Sequence, residues 1–314
     1  MFSRRFLRIK VVKAIYAHLT GACDSVAMEE KNLMTGIDKA YDLYPHMLSL
    51  IADVKRYAEE RIEIGLRKHL PTQEELNPNR KFIRNAVVAQ IENDDELDRM
   101  LIEKRLGWGS YPELIKHLYN KMVESEYYIN YMASEQNSYA EDCKLVEEFY
   151  LQTVQDNPML NEVLEESSIM WSDEVDFILI MVLRTLSACR AKQEALPLLP
   201  KYKSDDDEAF VKRLFARAAV NYDEHIKIVE QYTRNWDVER IAVMDNIILT
   251  TAIAELVGFD SIPVKVTLDE YIEIAKYYST LGSSTFINGL LDKITADLTA
   301  DGRINKQGRG LVEF

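Results

Sequence analysis

The chain has 314 residues, 47% hydrophobic and 29% charged, with a formal net charge of −14. That balance describes a soluble protein able to build one large core or two modest ones, and no run approaches the roughly 20 apolar residues that span a bilayer. Three cysteines, Cys23, Cys143 and Cys189, stand far apart without CxxC spacing and suggest neither a disulfide framework nor a zinc site.

The opening residues depart from the acidic average. Residues 1–23 contain Arg4, Arg5, Arg8, Lys10 and Lys13 and no acid, a local +5 that leaves −19 for the remainder. Lys10 and Lys13 interrupt what would be the apolar part of a signal peptide, so the cytoplasm is the default location. On a helical wheel Leu7, Val11, Ala14, Ile15 and Leu19 share one side, while Phe6, Ile9, Lys10, Lys13 and Tyr16 fall largely opposite. Cations interleaved with aromatics suit single-stranded RNA, because cations meet phosphates and rings stack on unpaired bases. Arg8 lies toward the core side, where an intramolecular salt bridge competes with RNA contact.

Helical spacing dominates the rest of the chain. Met47, Leu50, Ile51, Val54, Tyr57 and Ala58 trace one apolar stripe, and Phe210, Leu214, Phe215 and Ala218 another. Strand-like alternation is hard to find, so the expected fold is all-α. Breaks are expected at 71–79, 106–112, around Asn157 and Pro158, and at 196–207, the best linker candidate. The stretches around Trp171 and Trp236 echo one another loosely, which admits a decayed duplication, although chance similarity between helices accounts for it as well.

Catalysis lacks a constellation. His18, His46, His69, His117 and His225 are scattered without ligand spacing, and there is no GxxxxGK[ST] or GxGxxG loop. Asp205, Asp206, Asp207 and Glu208 read as a helix start rather than a metal site, and Asp94, Asp95 and Glu96 likewise. Neither an enzyme nor a cofactor nor a bound metal is expected.

The last well-marked stretch is Ile262–Lys293. Thr267 with Glu270 three residues on has the form of a capping box, placing a helix start near Leu268. Ser279, Gly282 and Ser283 interrupt it, and a second helix runs through Phe286, Leu290, Ile294 and Leu298, with Gly289 expected to admit a close backbone neighbour.

Together the two ends resemble the NusB family. Its arginine-rich opening is matched by Arg4, Arg5, Arg8, Ala14 and Tyr16. Its C-terminal half is matched by Val238, Glu239, Ala252, Glu255, Leu256, Ile262, Pro263, Lys265, Val266, Glu270, Ala275, Lys276, Phe286, Asn288, Gly289, Leu291, Asp292 and Lys293. The resemblance covers about 3–20 and 205–298. It divides the chain into a basic first helix (1–20), a helical insertion without a named counterpart (21–204, with a diverged second copy as one reading), a C-terminal core (205–300) and a tail (301–314).

The resemblance implies NusB-like helical bundles and a transcription antitermination factor acting on ribosomal RNA operons. Its implied partners are boxA-type leader RNA, the tenth small-subunit ribosomal protein (NusE), and the RNA polymerase elongation complex with other Nus factors, with no membrane involved. Carried over by position, Arg4, Arg5, Arg8, Lys10, Lys13 and Phe286 would lie at the RNA surface. Tyr16 and Glu239 would face the ribosomal protein, where a carboxylate can pair with basic side chains. A helical interaction adaptor with reduced RNA binding is the alternative.

Overall fold

The computed structural model describes residues 1–21, 25–233 and 242–306, and among these there is no strand. In chain order the helices are α1 (Arg4–Thr20), α2 (Val26–Leu66), α3 (Gln73–Leu76), α4 (Ala86–Glu92), α5 (Asp95–Lys104), α6 (Pro112–Val123), α7 (Glu126–Ala133) and α8 (Tyr139–Glu148). They continue as α9 (Pro158–Ser167), α10 (Val175–Ala188), α11 (Asp205–Val220), α12 (Tyr222–Thr233), α13 (Val243–Gly258), α14 (Val264–Tyr278) and α15 (Ser283–Ala300). None of them is long and apolar enough to cross a membrane. The protein is all-α, as its spacing predicts.

The chain forms two compact units: Met1–Ile37 with Lys201–Phe314, and Asp38–Pro200. In the first, α13 is the central helix, packed by α1, α11, α12, α14 and α15. Its sequence is apolar nearly all round, as a helix enclosed by neighbours must be. Its polar residues are satisfied locally: Thr250 donates to the carbonyl of Asn246 (2.8 Å) and Thr251 to that of Ile247 (2.7 Å). Its two buried acids, Asp245 and Glu255, take their partners from elsewhere in the unit.

The second unit is organised on the C-terminal part of α2, which runs through Pro45 without ending. Large aromatics bury their rings here and donate their polar tips to α2 carbonyls. Trp108 Nε1 donates to His46 O (2.9 Å), Trp171 Nε1 to Lys39 O (2.8 Å) and Tyr150 OH to Met47 O (2.8 Å). The expected break at 71–79 instead contains the single turn of α3, capped reciprocally by Thr72 and Glu75. Asn157 caps α9 with Pro158 at its first position, so that break is a helix start, and Asp94 caps α5, as its reading as a helix start expects. A π-helical turn at Phe149–Val154 continues α8.

Candidate nucleic-acid interface

The arginine-rich opening is fastened to the rest of the first unit. Ser3 caps α1 by accepting from the amide of Phe6, and α1 lies against α11, α13 and α14. Arg4 Nε donates to Asp207 Oδ1 at 2.9 Å, and Arg5 grips Glu270 with two bonds of 2.8 and 3.2 Å. Arg8 goes deepest. Its Nε and Nη2 each reach a different oxygen of Glu255 at 2.8 Å, with Arg8 2% and Glu255 0% exposed. Thr267 and Tyr271 donate to the same carboxylate at 2.9 and 3.2 Å, so Glu255 accepts four hydrogen bonds. Burial opposes the charge on Arg8, yet the hydrogen bonds and charge of Glu255 hold its pKa above the ordinary arginine value. The ring of Phe210 lies under both Arg4 and Arg8, 5.1 and 5.3 Å from their guanidinium carbons.

Several expectations change accordingly. Arg8 belongs to the interior rather than to an RNA surface. Phe6 and Ile9, expected opposite the core face, are buried, because the first half of α1 is enclosed on nearly every side. Lys10 is only 8% exposed, with its ammonium 5.4 Å from the Phe6 ring. Thr267 and Glu270 do not form a capping box: α14 begins one turn earlier at Val264, after Pro263, and the two side chains serve Glu255 and Arg5 instead. Gly289 faces open space, so nothing approaches its backbone closely.

Further along α1 the surface opens. Lys13 is half-buried and its ammonium sits 5.1 Å from the Tyr278 ring, at the end of α14. The segment beyond Tyr278 is pinned from beneath by buried Asp245: Ser279 donates to Oδ1 (2.5 Å) and Ser283 to Oδ2 (3.0 Å). Gly282 takes the left-handed conformation (φ 92°) that glycine tolerates without steric cost, starting α15 with half-buried Phe286 in its first turn. Lys13, Tyr278 and the 279–286 corner are thereby brought to one region. Tyr16, one turn beyond Lys13, is 42% exposed. Glu239 lies outside the described residues.

Sequence reasoning missed the acids that hold the arginines, namely Asp207, Glu255 and Glu270, and the anchor Asp245. One signal was present: a glutamate within ILTTAIAELVG must be buried, and a buried carboxylate requires a cation.

The first unit is thus an all-helical bundle whose first helix is tied down by arginines and presents a lysine beside an aromatic corner. The NusB family model matches residues 178–296, which starts earlier than the C-terminal part of the motif resemblance (205–298) and does not include 3–20. The chain is 42% identical over 123 residues to the transcription antitermination protein NusB of Salinibacter ruber, covering 38% of this chain and 77% of that protein. It is 36% identical to the protein of the same name from Chloroherpeton thalassium, spanning 33% of this chain and half of that protein. Against the protein of that name from Thermodesulfovibrio yellowstonii it is 37% identical, over 30% of this chain and 63% of that one. The solved structure of T. maritima NusB aligns with a TM-score of 0.30 at 24% identity, over 46% of this chain and 90% of that one. The chain belongs to the NusB family.

Proposed function

We propose that this protein is a non-enzymatic transcription antitermination factor that binds boxA-type leader RNA together with the tenth small-subunit ribosomal protein, and joins RNA polymerase elongation complexes with other Nus factors. The relatives' shared name supports antitermination. The observation that carries the RNA reading is the approach of Lys13 to Tyr278, which brings the cationic helix and the aromatic corner of α14–α15 together. A cation beside unpaired-base stacking partners is the minimum a single-stranded RNA site needs. Lys13 and Phe286 are the principal RNA residues. Arg4 and Arg5 stand at the N-terminal end of α1, more than two turns before Lys13, and contribute by exchanging their carboxylate partners for phosphate, and Lys10 adds positive potential. Tyr16 and Glu239 serve the ribosomal protein.

The test is co-purification of the intact protein with boxA RNA and the ribosomal protein. A stable ternary complex supports the reading, and Glu239→Lys should weaken the protein pair specifically. Recovery of neither partner would leave the interaction-adaptor alternative.

A further inference from the structure

The second unit contains a basic cleft that neither the family match nor the first-unit site uses. It encloses about 550 Å3 and is walled on one side by Asn79–Ala86 and on the other by residues between Tyr131 and Asp142. The segment forming the basic wall is bolted in place. Phe82 is buried, Asn79 donates to the carbonyl of Met132 (2.9 Å), Lys81 donates to the carbonyls of Ser134 (3.0 Å) and Gln136 (2.6 Å), and Asn85 to that of Asp142 (3.1 Å). Two arginines of this rigid segment, Arg80 and Arg84, are exposed and make no side-chain hydrogen bond or ion pair among the described residues. They flank one 3-10 turn at Phe82–Arg84, where Arg84 N donates to both Arg80 O (3.2 Å) and Lys81 O (3.1 Å), and both line the same cleft.

The one acid in the cleft does not answer them. Asp142 Oδ1 accepts from Tyr131 OH (2.6 Å) and Oδ2 from the Ala86 amide (2.8 Å), so its charge is committed to the scaffold. Arg4 and Arg5 must give up carboxylates before meeting RNA, whereas Arg80 and Arg84 have none to displace. Two guanidiniums lining one cleft suit the phosphates of one strand, and each fork matches phosphate oxygens.

We infer that this cleft binds phosphates of single-stranded RNA, as a second RNA contact on the second unit; the inference rests on the RNA-binding reading above. The experiment uses the intact chain and a labelled leader RNA carrying boxA with flanking sequence, titrated by fluorescence anisotropy at several salt concentrations. Arg80→Ala with Arg84→Ala should weaken binding about tenfold and flatten the log–log salt dependence by about 1.4, two phosphate contacts at about 0.7 each for a single strand. Lys13→Glu serves as the parallel variant for the first site. If the double variant keeps wild-type affinity and slope while Lys13→Glu loses affinity, the cleft inference fails and the first site stands. If the wild-type chain binds no RNA with or without the ribosomal protein, both fail. If inorganic phosphate or polyglutamate shows the same dependence on Arg80 and Arg84 and RNA does not, RNA is not the occupant. Circular dichroism of the variant, expected to match wild type, verifies that the exposed changes leave the fold intact.

Discussion

Arg8 and Glu255, 247 residues apart in sequence, meet as a two-pronged ion pair sealed inside the first unit, and this pair ties the basic opening of the chain to its central helix. The family's arginine motif thus has two roles within five residues. Arg8 holds the scaffold, and the cations around it are presented by the helix it secures.

Arg8→Ala leaves the Glu255 carboxylate buried with only Thr267 and Tyr271 as donors. Removing one partner of a buried pair typically costs about 3–5 kcal/mol. Urea denaturation should show that scale of loss, whereas Arg8→Met with Glu255→Leu should recover much of it, because the uncompensated charge is gone. A loss below about 1 kcal/mol for the single variant would show that the pair contributes little.

Asp245 positions the corner ahead of Phe286. Asp245→Ala removes the acceptor for the Ser279 and Ser283 hydroxyls and should cost about 1–3 kcal/mol. Hydrogen exchange across 279–286 should accelerate while α13 stays protected, and RNA affinity should fall through Phe286. Unchanged exchange there would remove Asp245 from this role.

His46 stacks on Trp108 with ring centroids 3.9 Å apart, and burial pushes its pKa down to about 4. The folded pKa lies below the unfolded value near 6.5, so the stability is fully present above about pH 6.5. Below it the unfolded chain takes up the proton first, and up to about 3 kcal/mol is lost as pH falls toward 4. Buried His225, also lowered by burial, adds in the same direction. Denaturation midpoints from pH 7 to 4 should fall, and His46→Phe should flatten part of that slope. An identical pH profile for the variant would rule His46 out as a source.

Tyr16 offers a large exposed aromatic on the outer half of α1. Tyr16→Ala should leave folding within about 0.5 kcal/mol of wild type, as exposed changes usually do. Calorimetry with the ribosomal protein should show weaker association, and wild-type affinity would dismiss Tyr16 as a contact.

Much of the architecture is legible in the residues. The 3.6-residue period over 47–58 and 210–218 marks helices because their apolar stripes face a core, and Asn157-Pro158 marks a start because side-chain capping is local. The opening helix misleads for the opposite reason. A wheel assumes one buried face, but α1 is inserted among α11, α13 and α14, so Phe6, Ile9 and Lys10 are covered too. Thr267 and Glu270 carry capping-box spacing, yet a buried carboxylate twelve residues upstream and an arginine at the start of the chain claim them. Pairings across such separations are set by packing and leave no local pattern. Pro45, of a residue type that ordinarily breaks a helix interior, sits within a 41-residue helix that Trp171 and Tyr150 hold at Lys39 and Met47, on either side of it.

In the proposed function Lys13 and the corner it meets form the RNA surface while Arg8 serves the scaffold. The most direct test is an anisotropy titration of boxA RNA, with the ribosomal protein present, against wild type, Lys13→Glu and the Arg8→Met/Glu255→Leu double variant. The prediction is a loss of affinity and a salt slope shallower by about 0.7 or more for Lys13→Glu, with near-wild-type binding by the folded double variant. Wild-type binding by Lys13→Glu, or its abolition in a fully folded double variant, would contradict the assignment.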